Sequence, residues 1–232
     1  HAPGRGGRQL SAYRCGGPNT CHETTNGEEA LGKLRAGMYV DARESSITKN
    51  VKAIVEGIQG IRFYDTLTLC SDDRESDDLL HTGHLNAVVR KAIECGMDPV
   101  LAIKSATINT AREIGVSHIG AVAPGYTADM VLTKDIHTMW ADAVFYGGKL
   151  VAEHGKLTVE IEDREYEMET RNSMNAGNVS LDDFIVKAPV ENGTVKVHVM
   201  EYHDLLQSMT RCAVEELEVK DNKVVLGEGM AF

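Results

Sequence analysis

Thr66-Leu67-Thr68-Leu69-Cys70-Ser71-Asp72-Asp73-Arg74 is the stretch on which the fold turns. It opens as a β-type run, apolar and β-branched, and stops abruptly at two carboxylates and a guanidinium. A short buried strand that runs into Asp72-Asp73 sets acidic groups at its C-terminal end, where barrel and open α/β folds build their chemistry. Upstream, His1 and His22 stand at the ends of stretches able to do the same. One reading is that His1, His22 and Asp72 converge on a metal. The other makes Asp72-Asp73 an N-cap pair ahead of a helix beginning near Leu79.

Outward from this strand, polar loop, helix and strand alternate. Thr25-x-x-Glu28 reads as a capping box opening a helix that Gly37 stops. Residues 38–42 read as a strand ending in Arg43-Glu44-Ser45, and a helix follows near residues 49–57. Downstream, Leu85, Val88, Val89, Ala92 and Ile93 repeat at helical spacing, with Gly96 as the stop. Asp98-Pro99 caps a further helix expected to reach about residue 114. Strands alternating with helices imply a parallel sheet. The expectation for residues 1–115 is α/β, the second half of a β/α barrel.

The texture then changes. Residues 124–132 read as a turn and a buried strand, and Gly147-Gly148 as the turn of a hairpin. A small β-domain is expected at 116–158. Residues 160–169 read as an acidic linker or edge strand, and residues 183–186 and 193–200 as strands of a third unit, placed at 159–232.

A net charge of −11 argues against nucleic-acid backbones and anionic membrane surfaces as partners. Arg5-Gly6-Gly7-Arg8 occurs once, without aromatic interleaving, and reads as a glycine-rich loop. The five cysteines are odd in number and include no CxxC pair, which fits reduced thiols in a cytoplasmic protein. No uncharged apolar run approaches the ~20 residues of a membrane span. The chain begins at His1 in what reads as the middle of a domain, so a piece of a longer protein is expected.

Imidazole and carboxylate at successive strand ends suit Zn²⁺, Fe²⁺ or Mn²⁺. Such an ion lowers the pKa of a bound water, and a nearby Asp can take its proton and deliver it to a leaving amine.

The wider pattern resembles the adenine deaminases of the amidohydrolase superfamily. The matching pieces are His1-Ala2-Pro3-Gly4, His22-Glu23, Gly37-Met38-Tyr39 leading to Arg43-Glu44-Ser45, and Leu69-Cys70-Ser71-Asp72-Asp73-Arg74. They continue in Asp78-Leu79-Leu80 with Gly83-His84, Ala106-Thr107-Ile108-Asn109, and Pro124-Gly125-Tyr126-Thr127-Ala128-Asp129. The resemblance implies a metal-dependent, TIM-like β/α barrel beside a small β-sandwich, with a partial C-terminal α+β unit. By that likeness His1 and His22 are metal ligands on the fifth and sixth strands, and Asp72 on the eighth is ligand and proton shuttle. It implies manganese or iron, with zinc as a further choice, and hydrolysis of adenine to hypoxanthine and ammonia in purine salvage. The substrate partner is then a small purine, and a homo-oligomer stays open. The family's first-strand His-x-His and its bridging Glu have no counterpart here.

Arg43, Glu44 and Ser45 read either as purine contacts or as a plain surface ion pair. Asp73 reads as a neighbour of the ligand, and His84 as a pocket-mouth residue or a helix-terminal histidine. Cys21, on the opposite strand face from His22, is set aside as a ligand. Two rival functions remain: another amidohydrolase cleaving cyclic amides, of the dihydroorotase or allantoinase kind, and a non-catalytic binding or assembly module.

Overall fold

The structure, a computed structural model, describes residues 1–167, 173–204 and 209–230, the side chains of 203, 204 and 209 excepted. It divides into two compact units, residues 1–160 and the described residues from 161 onward.

The first unit opens with α1 (Gly7–Cys15), β1 (Thr20–Cys21), α2 (Gly27–Arg35), β2 (Tyr39–Arg43), α3 (Val51–Gly57) and β3 (Leu67–Cys70). The strands form one parallel sheet in the order β1-β2-β3, as crossover helices between strands require. Val40 pairs with Leu67 and Ala42 with Leu69, while Asp41 pairs with Thr68 and Arg43 with Cys70. Side chains alternate across a strand, so the sheet has an apolar face and a polar face. The helices α4 (Ser76–His81), α5 (Leu85–Glu94), α6 (Pro99–Ala106) and α7 (Ile108–Glu113) follow. Val40, Ala42, Leu67 and Leu69 pack in one core with Val51, Ile54 and Val55 of α3 and Val88, Val89 and Ala92 of α5. Each large side chain buried there contributes ~1.5–3 kcal/mol. The α2 and α3 backbones meet where a Cβ on Gly27 would lie 2.3 Å from Gly57 Cα, so only glycine fits.

Three local expectations are corrected. The α2 cap sits one residue later than Thr25, because the Asn26 side chain accepts from Glu29 N–H at 3.0 Å and Thr25 bonds the Glu29 carboxylate instead. The single helix expected to run to about residue 114 is broken at Thr107 into α6 and α7. There the Thr107 hydroxyl bonds back to Ile103 O at 2.7 Å, which disfavours straight continuation. The buried Asn109 amide then donates to Tyr64 O at 2.7 Å and Leu67 O at 2.9 Å, pinning the start of α7 to the β3 region. Residues 181–184 form a 3₁₀ turn rather than a strand, since Ser180 and Asp183 cap one another.

An antiparallel sheet follows in the first unit: β4 (Met130–Thr133), β5 (Ala141–Tyr146), β6 (Lys149–Glu153) and β7 (Lys156–Leu157), in that order. Gly147 (φ 56°) and Gly148 (φ 79°) supply the two left-handed residues of the expected hairpin turn. The second unit contains β8 (Gly193–Asp204), β9 (Met209–Lys220) and β10 (Lys223–Val224), all antiparallel. Residues 161–167 of the acidic stretch lack regular structure, while its end at 168–169 lies outside the described residues. All five cysteines are unpaired. Among the described residues no helix is long and apolar enough to cross a membrane.

The polar face of the parallel sheet carries a carboxylate pair. Thr20 Oγ1 donates to Asp41 Oδ2 at 2.6 Å, and Thr68 donates to Asp41 Oδ1. Glu113 lies beside this cluster. Burial pushes the Glu113 carboxyl up to about 7, and the Asp41 charge adds to the rise. A carboxyl whose folded pKa is raised stabilises the fold fully below its ordinary value of 4.5, and that share is lost as pH rises through about 7. The unfolding midpoint, followed by circular dichroism, is therefore expected to fall between about pH 5 and about pH 8. Glu113→Gln should flatten that fall; an equal slope in parent and variant would contradict the assignment.

Candidate functional site

The site lies where the three parallel strands end. β1 stops at Cys21, whose side chain is buried beside Leu10 and Met38. His22 and Glu23 follow. β2 ends at Arg43, on the polar face, and β3 ends at Cys70, with Ser71 and Asp72 directly after it. The Asp72 backbone is left-handed (φ 51°), a strained state for a residue other than glycine. Its Oδ1 accepts the next N–H, from Asp73, at 2.9 Å.

Arg43 joins the strand ends. Its side chain is 7% exposed, and NH1 donates to Asp72 Oδ2 at 2.7 Å. The same guanidinium makes a two-pronged pair with Glu23, at 3.1 Å to each oxygen. Such planar forks match carboxylates in both geometry and charge. Burial raises the Asp72 carboxyl, but the Arg43 hydrogen bond, the Asp73 N–H and the Arg43 charge outweigh it and hold Asp72 below its usual range. Asp72 is thereby kept ionised and fixed in direction.

His22 Nε2 lies 3.9 Å from Asp72 Oδ2 and 3.6 Å from Glu23 Oε1. The His1 ring packs edge-on against His22, with centroids 4.0 Å apart. His1, His22 and Asp72, far apart in sequence, thus share one rim with Arg43 and Glu23.

The other candidates divide. Arg43 is an interior ion-pair residue, so the surface-pair reading does not describe it. Ser45 is spent in a local turn, its hydroxyl donating to Thr48 O at 3.0 Å and accepting from Thr48 N–H at 2.7 Å. The Glu44 carboxyl is raised by burial, and its backbone oxygen accepts from Arg74 at 3.0 Å. Asp73 is exposed. His84 precedes α5, with Nε2 3.0 Å from Ser71 Oγ. Cys70 is a protected thiol, pushed up to about 12 by burial and by the charges of Asp41 and Asp72. Glu23, not among the candidates read from the strand ends, joins this rim through Arg43. Its place directly after His22 was the available signal.

Two imidazoles and a carboxylate are a donor set of the right type for a divalent cation. In arrangement they fall short of a complete cage: among the described residues no group of three or more His, Cys, Asp or Glu side chains is set to hold an ion alone. One Asp72 oxygen is already engaged by Arg43.

A model of the amidohydrolase family matches residues 22–151. An adenine deaminase of Kosmotoga olearia is 35% identical over 225 residues, covering 97% of this chain and 38% of that protein. Adenine deaminase 1 of Carboxydothermus hydrogenoformans is 40% identical over 203 residues, covering 84% of this chain and 33% of its own length. An adenine deaminase of Moorella thermoacetica is 38% identical over 221 residues, with coverages of 94% and 37%. The chain therefore spans less than two-fifths of the length of these relatives.

Arg43→Met should leave Glu23 and Asp72 facing one another without a cation. Because both carboxylates keep about a quarter of their exposure, the expected cost is about 2–3 kcal/mol, below that of a fully buried pair. Urea unfolding of parent and variant measures it; no change in midpoint would mean that the network carries no stability.

Proposed function

The chain belongs to the amidohydrolase family, and from that premise we propose that it contributes to the hydrolytic deamination of adenine at a divalent-metal site. The single observation that carries the reading is the meeting of His1, His22 and Asp72 at one rim of the parallel sheet, with Arg43 clamped between Asp72 and Glu23. Supporting it are the three adenine deaminase relatives. In this reading residues 1–115 are the second half of a β/α barrel, 116–158 a small β-sandwich, and 159–232 a partial C-terminal unit.

His1 and His22 would hold the ion through ring nitrogens, and Asp72 through a carboxylate oxygen, with further ligands from elsewhere in the assembled enzyme. Manganese or iron is the proposed metal. The group supplies Lewis acidity and an acidified water when bound. The residues of this chain do the proton work. Asp72, ionised beside Arg43, accepts a proton from the attacking water and returns it to the departing amine. Arg43 keeps that carboxylate aimed, and Glu23 keeps Arg43 from swinging away. Adenine and water give hypoxanthine and ammonia, with the C6–N bond broken and a C6–O bond formed.

The expected outcomes differ by variant and by length. In a version extended to the length of the relatives, Asp72→Asn should lose most turnover with a small change in stability, and Asp73→Asn should lose less. The reverse order would mean that the two roles are exchanged. Residues 1–232 alone, supplied with Mn²⁺ or Fe²⁺, should form no hypoxanthine, because the described side chains do not complete a metal cage. Turnover by the isolated chain would refute this. Ammonia release from adenine and ring opening of cyclic amides, followed separately, test the substrate class; ring opening with no ammonia released from adenine would overturn it.

A further inference from the structure

Lys33, on α2, has a side chain with no exposed surface. Its ammonium donates to Glu29 Oε1 at 2.6 Å, Thr24 Oγ1 at 3.0 Å and Cys21 Sγ at 3.2 Å, which uses all three N–H bonds. Glu29 lies one turn earlier on α2, with 6% of its side chain exposed. Its Oε1 also accepts from Gly4 N–H at 2.8 Å, and Oε2 accepts from Thr25 N–H and Oγ1, each at 3.3 Å. Cys21 Sγ accepts in turn from Ala2 N–H at 3.4 Å.

These partners come from two segments. Ala2 and Gly4 belong to the loop that carries His1. Cys21, Thr24 and Thr25 bracket His22. A buried ion pair is a weak source of net stability, because desolvation offsets the attraction. An apolar pair could fill the same space on α2. It could not gather the Gly4 N–H of the first segment and the hydroxyl, thiol and N–H groups of the second, to whose Cys21 sulfur the Ala2 N–H also bonds.

We propose that the buried Lys33–Glu29 pair is the positioning device for the two histidines, setting the spacing and facing of His1 and His22 and so the site's capacity for a divalent cation. This rests on the reading of His1 and His22 as metal ligands. Lys33 and Glu29 touch neither substrate nor ion; they act through the two backbone segments. Loss of either charge lets the segments move independently while the core of β2, β3, α3 and α5 stays packed.

The test uses the full chain and three variants. Lys33→Met removes the ammonium at similar volume. Glu29→Gln removes the charge but keeps an oxygen for Gly4 N–H. Val88→Ala, in the α5 core, is the control for lost stability without a change in the network. Affinity for Mn²⁺ alone is measured by calorimetry, and hydrogen exchange is followed by peptide over residues 1–6 and 20–25. Lys33→Met should weaken Mn²⁺ binding ~10–100-fold, as lost outer partners of metal ligands do. It should also speed exchange in both segments by about tenfold or more, leaving the other core elements unchanged. Glu29→Gln should fall between parent and Lys33→Met. Val88→Ala should leave Mn²⁺ affinity and both segments at parent values.

If Lys33→Met behaves as Val88→Ala does in both readouts, the pair is structural only and the proposal is overturned. If the parent binds no Mn²⁺, the ion needs the further ligands of the assembled enzyme, and segment exchange alone decides whether the pair positions the two histidines, parent-like exchange in Lys33→Met overturning the proposal. If Lys33→Met does not fold, Glu29→Gln carries the same comparison.

Discussion

A guanidinium keeps its proton at any pH a protein meets, so an interior arginine needs its charge matched. Arg43, 7% exposed at the end of β2, meets two carboxylates, one from the segment after each neighbouring strand. Glu23 extends from β1 and Asp72 from β3. The β1–β2 pairing has ended before this level, while Arg43 still pairs with Cys70 of β3, and the ion network adds a lateral tie across all three strand ends. Remove the match and two carboxylates would repel across the rim. The arrangement of His22 beside Asp72 depends on it.

The network can form because the sheet is two-faced. The alternation that sends Val40, Ala42, Leu67 and Leu69 into the helical core sends Asp41, Arg43 and Thr68 the other way. On that second face every charged group is paired or hydrogen-bonded to a neighbour: Asp41 with Thr20 and Thr68 low on the sheet, Arg43 with Glu23 and Asp72 at its end. Apolar packing thus holds the strands from one side, while polar chemistry is arranged on the other. The left-handed turn at Asp72 is the local cost, and the Arg43 and Asp73 contacts hold the carboxylate in place there.

The histidines are held differently. Neither lies within a strand, though each adjoins a buried neighbour, Ala2 and Cys21. Helix α2 compensates by carrying a charged pair inward beneath both segments, where backbone N–H groups can find it. A helix that buried only apolar side chains would pack as tightly but direct nothing.

The strand–helix alternation, the apolar–polar switch along residues 66–74, the Asp98-Pro99 helix start and the Gly147-Gly148 hairpin turn were all determined by the sequence alone, because each is a local property of a few neighbouring residues. So were the positions of His22, Arg43 and Asp72 at or just after strand ends. What the sequence could not express is which distant groups meet. Nothing near Arg43 in the chain announces that it faces Glu23 and Asp72 rather than solvent, and nothing near Lys33 announces an ammonium sealed from water. The pinning of α7 after the break at Thr107 likewise follows from Asn109 reaching the carbonyls of Tyr64 and Leu67, a contact across 42 to 45 positions. Pairing of buried charges and capture of buried carbonyls are decided by tertiary proximity, because only burial makes an unmatched polar group costly enough to choose its partner.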